Sequence, residues 1–327
     1  MRAVTFSEYG GPGVLQLREI ATPTPGAGQV LVRVNAAEVT KSDCELRAMR
    51  FPVKWFSLPL RLFWGWRKPR RSVLGAYFSG EVVALGAGVT QWRIGDAVYG
   101  SSGMGFGAHA EYVVVPESGT YTRKPQSLSF TQAAALPLGG LNAAHFMTRA
   151  CIQPRERVLV IGAGGSIGSY ALQLAKRQGA HVTAVDAPHK FAWLRELGAD
   201  EVVDYTTTDA LSEPARYGVI FATVAGDHYT RCLRALSPRG RYLTANPRFA
   251  ELWRWMVTHL TSNKRVVVAF AEESRARLDA LGELVDAGEL RVPIDRTYTL
   301  AEAPAAHARV ETEQRLGAVV LDCSAPA

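Results

Sequence analysis

The stretch Val158-Leu-Val-Ile-Gly162-Ala-Gly-Gly165-Ser-Ile-Gly168 runs an apolar strand into a glycine turn and the turn into a helix-like segment. That order is what a diphosphate needs. Gly162 permits a tight turn, Gly165 lets the backbone approach a pyrophosphate, and Gly168 lets helix pack on strand. The N–H groups of Ser166 and Ile167 would point at the phosphates with the helix dipole behind them. The spacing is GxxGxxG rather than GxGxxG, so the letters alone also suit an ordinary glycine-rich turn. Context favours a dinucleotide, because a second strand ends in Asp186, eighteen residues past Gly168. Asp186 is placed to bind ribose hydroxyls, which suits NAD(H) and repels a 2′-phosphate. Lys190 and Tyr205, with His189 beside them, are placed to hold that phosphate. The balance leans slightly to NADP(H), and NAD(H) stays open.

No comparable pattern points to a metal. Cys44, Cys151, Cys232 and Cys323 form no CxxC pair, and the seven histidines form neither HxxxH nor HExxH. The cysteines read as buried thiols.

Strand-like runs alternate with helix-like ones around the turn: Arg157–Ile161, Ser166–Gln178, His181–Val185, Lys190–Leu197, Glu201–Val203, Val219–Ala222, Tyr229–Leu236 and Gly240–Leu243. Such alternation predicts a doubly wound parallel sheet, an α/β Rossmann arrangement. Thr131–Leu136 and Leu141–Arg149 read as helices before it. The first third differs. Val14–Ile20, Val30–Ala36, Glu81–Leu85, Ala97–Tyr99 and Ala110–Val115 read as short strands between glycine-rich turns, which predicts a partly closed β domain.

A chain of 327 residues suits two cores, and 47% apolar with 20% charged residues is ordinary for a soluble protein. There is no apolar run of membrane-spanning length, and Met1–Gly11 lacks a signal-peptide plan, so a cytoplasmic location is expected. The net charge of +7 is local. Arg47, Arg50, Lys54, Arg61, Arg67, Lys68, Arg70 and Arg71 lie together with no acid among them, and removing these eight from 37 basic residues leaves 29 against 30 acidic ones. A general nucleic-acid binder would spread its basic surface more widely, so no nucleic-acid partner is expected.

Several stretches together resemble the zinc-independent medium-chain dehydrogenases/reductases of the quinone oxidoreductase-like group, also labelled NAD(P)-dependent alcohol dehydrogenases. They include Tyr9–Leu17, Val89–Tyr99, Gly105–Val115, Ala133–Phe146, Val158–Tyr205, Leu236–Pro247 and Pro293–Tyr298. The resemblance implies a GroES-like, partly closed β-barrel catalytic domain from residues 1–123 and 290–327, with Val292–Thr297 and Ala318–Leu321 returning to it. It implies a Rossmann dinucleotide-binding domain over 124–289, and a homodimer. Zinc-dependent relatives hold a catalytic metal with a loop cysteine, a Gly-His-Glu motif and a third ligand further on. Here those places carry Thr40, Ala76 with Tyr77, and Gly139-Gly140, and the four-cysteine structural lobe is missing. Zinc is therefore not expected.

Without zinc to polarise an oxygen, the implied reaction is hydride delivery to an activated acceptor, a small apolar or aromatic quinone or α,β-unsaturated carbonyl. Thr40, Lys41 and Tyr77 are the candidate catalytic donors, although relatives commonly carry Asn at the first position and an acid near the last. Tyr77 also reads as a packing residue, and Asp43 as structural. The resemblance adds Asn142, Val224, Ala225, Asn246 and Phe270 as cofactor contacts. Two other functions stay open: a nucleotide-binding regulatory or membrane-associated protein with little turnover, and an alcohol dehydrogenase.

Phe51, Trp55, Phe56, Phe63, Trp64 and Trp66 interleave with the basic residues of 47–71. The segment reads as a flap over the substrate or as packing. It also reads as a membrane-surface or lipophilic contact.

Overall fold

The computed structural model describes the chain except residues 52–56, 225, 227, 245–248, 270–271 and 326–327. The chain divides into two compact units, residues 1–138 with 273–327, and residues 139–272.

The second unit is built on six strands, all parallel. Their order across the sheet is Glu201–Asp204, His181–Asp186, Arg157–Ile161, Tyr217–Ala222, Leu236–Thr244 and Arg265–Val268. In chain order this is 3-2-1-4-5-6, the doubly wound Rossmann arrangement anticipated from the alternating pattern. Val158, Leu159 and Val160 are fully buried, as are Val219, Ile220 and Phe221. Continuous apolar strands are stable only where both faces are covered. Helix Ser166–Arg177 supplies one cover through Tyr170, Ala171, Leu172, Leu174 and Ala175, all buried. Its last turn holds Lys176 and Arg177, cations at the negative end of the helix dipole. Helix Pro137–Ala150 packs closely on this helix, since a Cβ at Gly139 would lie 2.6 Å from the Ser166 carbonyl oxygen.

The first unit is β-rich. Strands Ile294–Thr299, Ala318–Asp322, Gln29–Val39, Tyr77–Leu85, Ala97–Ser101 and Tyr121–Arg123 follow one another across a sheet, and Tyr112–Pro116 also pairs with Gln29–Val39. The returning strand Ala318–Asp322 lies antiparallel to Gln29–Val39, with Val320 opposite Glu38. A separate pair, Arg2–Thr5 with Gln16–Glu19, completes the strands. Helix Arg275–Asp286 belongs to this unit, where the Tyr99 hydroxyl donates to the Leu278 carbonyl at 2.6 Å.

Local details differ from expectation. Val14–Ile20 is not one strand, because Pro12 opens a 3-10 turn over Pro12–Val14 and only Gln16–Glu19 pairs as a strand. The cysteines are not uniformly buried: Cys44, Cys232 and Cys323 are, whereas Cys151 is exposed beyond the helix Pro137–Ala150. Arg47 is no part of a solvated basic face. It is fully buried on helix Lys41–Ala48, paired with Glu311 and donating Nε to the Gly10 carbonyl at 3.1 Å.

Candidate functional site

The glycine turn lies where the order of the parallel strands reverses, between Arg157–Ile161 and Tyr217–Ala222. Gly162 leaves its strand with φ +79°, a conformation costly for any side chain. A Cβ there would lie 2.6 Å from Thr223 Oγ1 and 2.7 Å from Val224 Cγ1, so Val224 is brought against the turn. Thr223 Oγ1 donates to the Ile161 and Gly162 carbonyls at 3.0 and 3.1 Å, joining the two strand ends. At Gly168 a Cβ would approach the Gly162 carbonyl oxygen to 2.2 Å. Both glycines are thus demanded by the protein's own packing.

Gly165 is different. It is the N-cap of helix Ser166–Arg177, in extended conformation, and an added Cβ would meet nothing closer than Gly162 O at 3.6 Å. Nothing within the chain requires glycine there. A glycine N-cap also provides no side chain to accept from the first-turn N–H groups. An open backbone, uncapped helix end and positive dipole fit a diphosphate. Residues 162–168 are therefore compatible with a dinucleotide, whose phosphates would meet the N–H groups of the first helical turn, since those of Gly162, Ala163, Gly164 and Gly165 donate within the chain.

At the rim, Asp186 ends its strand opposite Asp204, which places Tyr205 one residue beyond that partner and largely exposed. Asp186 Oδ2 accepts the Gly164 N–H at 2.7 Å, and Oδ1 accepts the Ala187 N–H at 2.9 Å. Lys190 Nζ lies 2.9 Å from Oδ1. His189 is exposed beside it, and Asn142 is half-buried on helix Pro137–Ala150. Ala225, Asn246 and Phe270 lie outside the described residues.

The first unit holds Thr40, Lys41 and Tyr77, but their side chains turn to different partners. Thr40 caps helix Lys41–Ala48: its Oγ1 donates to Asp43 Oδ2 at 2.6 Å and accepts the Asp43 N–H at 3.1 Å. This is a capping box with aspartate in the third position. Asp43 Oδ1 also accepts the Gly75 N–H at 3.0 Å, tying the 39–43 loop to the 74–77 loop. Lys41 pairs with Glu313 at the surface. The Tyr77 hydroxyl donates to Glu273 Oε1 at 2.7 Å. Burial, reinforced by the Glu273 carboxylate, raises the Tyr77 phenol well above its ordinary range, so it keeps its proton. Glu273 is a partner that sequence reasoning missed, since no local spacing links positions so far apart.

Three comparisons bear on this arrangement. Residues 26–126 match the family described as alcohol dehydrogenase GroES-like domain, and residues 197–321 match the one described as zinc-binding dehydrogenase. A quinone-oxidoreductase, QR1, chloroplastic, of Triphysaria versicolor is 30% identical over 98% of both chains. The chain belongs to the quinone oxidoreductase-like medium-chain dehydrogenases/reductases. The solved quinone oxidoreductase of Coxiella burnetii superposes with a TM-score of 0.87 at 29% identity, covering 98% of this chain and 99% of that one. An Arabidopsis thaliana relative named as an NADPH-dependent alkenal/one oxidoreductase, chloroplastic, is 32% identical over 68% of this chain and 57% of its own.

As a member of this NAD(P)H-linked family, the chain is an oxidoreductase with a GroES-like and a Rossmann domain. Its donor set differs from what the phrase zinc-binding suggests. Thr40, Ala76 and Tyr77 offer no thiolate, imidazole or carboxylate. Gly139 is pressed against Tyr170 and Ser166, leaving no space for a ligand side chain at that position. Among the described residues no group of three His, Cys, Asp or Glu is placed to hold a metal ion.

Proposed function

We propose that this protein is a zinc-free NAD(P)H-dependent reductase of quinones or α,β-unsaturated carbonyls. The observation that carries the proposal is the uncapped glycine cradle at 162–168, which fits a dinucleotide. The bound nicotinamide would supply hydride. The chain's residues would hold the diphosphate at Ser166 and Ile167, with Val224 beside the turn. The names of the relatives, quinone oxidoreductase and alkenal/one oxidoreductase, support this acceptor class. The metal-poor donor set at 40 and 76–77 supports it too, because such acceptors need no Lewis acid to polarise them.

Lys190 supports a preference for NADP(H). Its ammonium neutralises Asp186, removing the repulsion that a lone carboxylate would exert on a 2′-phosphate. Tyr205 lies near as an exposed ring. Tyr77, whose hydroxyl donates to Glu273 Oε1 at 2.7 Å, is the candidate proton donor of the first unit. Hydride would add to a quinone oxygen or enone β-carbon, and a proton delivered from water would neutralise the resulting phenolate or enolate.

A screen of NADPH and NADH against quinones, enones, saturated ketones and alcohols tests the reading. Oxidation of NADPH by quinones or enones, but not by saturated ketones, is expected. Turnover confined to the alcohol–ketone couple would overturn it.

We also propose a homodimer formed through the second unit. Strand Arg265–Val268 ends the six-stranded sheet, and the neighbouring helix Phe249–Thr261 exposes Trp255, Met256, Val257 and Leu260. An open sheet edge beside exposed apolar residues suits a second copy. Sedimentation equilibrium should give twice the chain mass of 35.5 kDa, and Leu260→Glu should shift it to the monomer. A wild-type monomer would refute this.

A further inference from the structure

Helix Ser57–Trp64 and the turn after it carry apolar side chains that the core of their own unit leaves exposed. The segment is firmly attached on one side. Trp64 is buried, its ring edge-on to Phe106 with centroids 4.7 Å apart. The Tyr9 hydroxyl donates to the Gly65 carbonyl at 2.8 Å, and the Arg70 N–H donates to the Trp64 carbonyl at 2.7 Å. Packing therefore accounts for Trp64 but not for its neighbours. Leu62, Phe63 and Trp66 are 63%, 51% and 56% exposed.

Cations surround them. Arg67, Lys68, Arg70 and Arg71 are exposed, Arg61 is partly so, and no acid occurs anywhere between Arg47 and Arg71. Arg71 donates to the Gly105 carbonyl at 2.5 Å, which brings the exposed Met104 to the rim of the same surface. Arg61, Arg67, Lys68, Arg70 and Arg71 alone supply five of the chain's net charge of +7.

We propose that this face docks on an anionic lipid bilayer surface. Leu62, Phe63 and Trp66 enter the headgroup boundary, and Arg67, Lys68 and Arg70 meet the lipid phosphates. The short helix lies in the interface rather than crossing it; among the described residues no helix is long and apolar enough to span a membrane. Tryptophan suits the boundary because its ring is apolar with one polar edge. Aliphatic Leu62 and Met104 fit acyl chains and offer no face on which a nucleic-acid base would stack, so the lipid surface is favoured over single-stranded nucleic acid.

Co-sedimentation of the full chain with phosphatidylcholine vesicles, with and without phosphatidylglycerol, tests the proposal. Binding should require the anionic lipid and weaken with salt. Each basic side chain raises partitioning about fivefold near such a surface, so the double variant Arg67→Gln, Lys68→Gln should lose at least about tenfold. Leu62→Ser with Trp66→Ser keeps every charge and should lose a similar factor. Circular dichroism melting establishes that both variants are folded. Equal binding to neutral and anionic vesicles would overturn the proposal. So would indifference to the Leu62 and Trp66 changes in a folded variant. Binding of a single-stranded oligonucleotide as tight as that of the anionic vesicles would instead assign the face to nucleic acid.

Discussion

Lys190 Nζ lies 2.9 Å from Asp186 Oδ1 with both side chains less than a tenth exposed, so the cation and the anion expected to compete over the cofactor's 2′-position neutralise each other. The remaining oxygen of Asp186 is engaged by the Gly164 N–H. The pair therefore fastens the rim of the glycine turn while leaving the balance of charge there near zero.

Replacing Lys190 by Met strands a buried carboxylate. Removing one partner of a buried pair should cost about 3–5 kcal/mol in chemical denaturation. Asp186→Asn added to Lys190→Met should regain most of it. The single variant should lose about tenfold to a hundredfold in NADPH affinity, the worth of a charge-assisted hydrogen bond, and less for NADH. Equal losses for both nucleotides would show that Lys190 does not face the 2′-phosphate.

Gly165 and Gly168 separate binding from folding. Gly168→Ala drives a Cβ to 2.2 Å from the Gly162 carbonyl, and overpacking of this kind should cost about 1–3 kcal/mol of stability. Gly165→Ala meets only ordinary contacts and, as an N-cap change, should cost well under about 1 kcal/mol. It should nonetheless weaken NADPH at least about tenfold, because the methyl group occupies the space the diphosphate approaches. Undiminished affinity in that variant would place the phosphates elsewhere.

The loop cap makes a different prediction. Thr40→Ala should cost about 1 kcal/mol as a lost N-cap. Asp43→Ala should cost more, about 2–3 kcal/mol, because its carboxylate accepts from Thr40 twice and from Gly75. Thermal melts of the two variants check the order, and the reverse ranking would contradict the assignment of Asp43 as the tie between the loops.

Legibility followed the range of the interactions. The parallel unit was readable because Arg157–Ile161 and Tyr217–Ala222 are buried on both faces and so write themselves as unbroken apolar runs. Strands Arg2–Thr5 and Tyr121–Arg123 were not, since three or four residues show no period and their partners lie elsewhere in the chain. The glycine turn was visible in its letters, yet the distinct status of Gly165 emerged only from the surrounding atoms. Tyr77–Glu273 and Arg47–Glu311 join residues nearly two hundred or more positions apart, and no local spacing encodes such pairs. Arg47 shows the consequence: counted with its basic neighbours it looks solvated, but its helix turns it inward onto Glu311.

The buried His307 and the half-buried Glu45 should give opposite pH signatures. Burial, assisted by the neighbouring His109 and Arg47, holds the His307 imidazole well below its ordinary 6.5. Its contribution is present above pH 6.5 and is lost as pH falls, since the unfolded chain then takes up a proton the folded one refuses. Burial pushes the Glu45 carboxyl up from 4.5 to about 7. Its contribution is present below pH 4.5 and is lost as pH rises through about 7. Comparing wild type with His307→Asn and with Glu45→Gln by urea denaturation across this range should give differences of opposite slope. Parallel slopes would refute the assignment.

Steady-state turnover of chelator-treated enzyme reads out metal-free hydride transfer to an activated acceptor. NADPH oxidation by a quinone or enone should persist unchanged after metal removal and gain nothing from added zinc. Loss of that activity on chelation, with recovery only when zinc is restored, would make the protein a zinc-dependent enzyme.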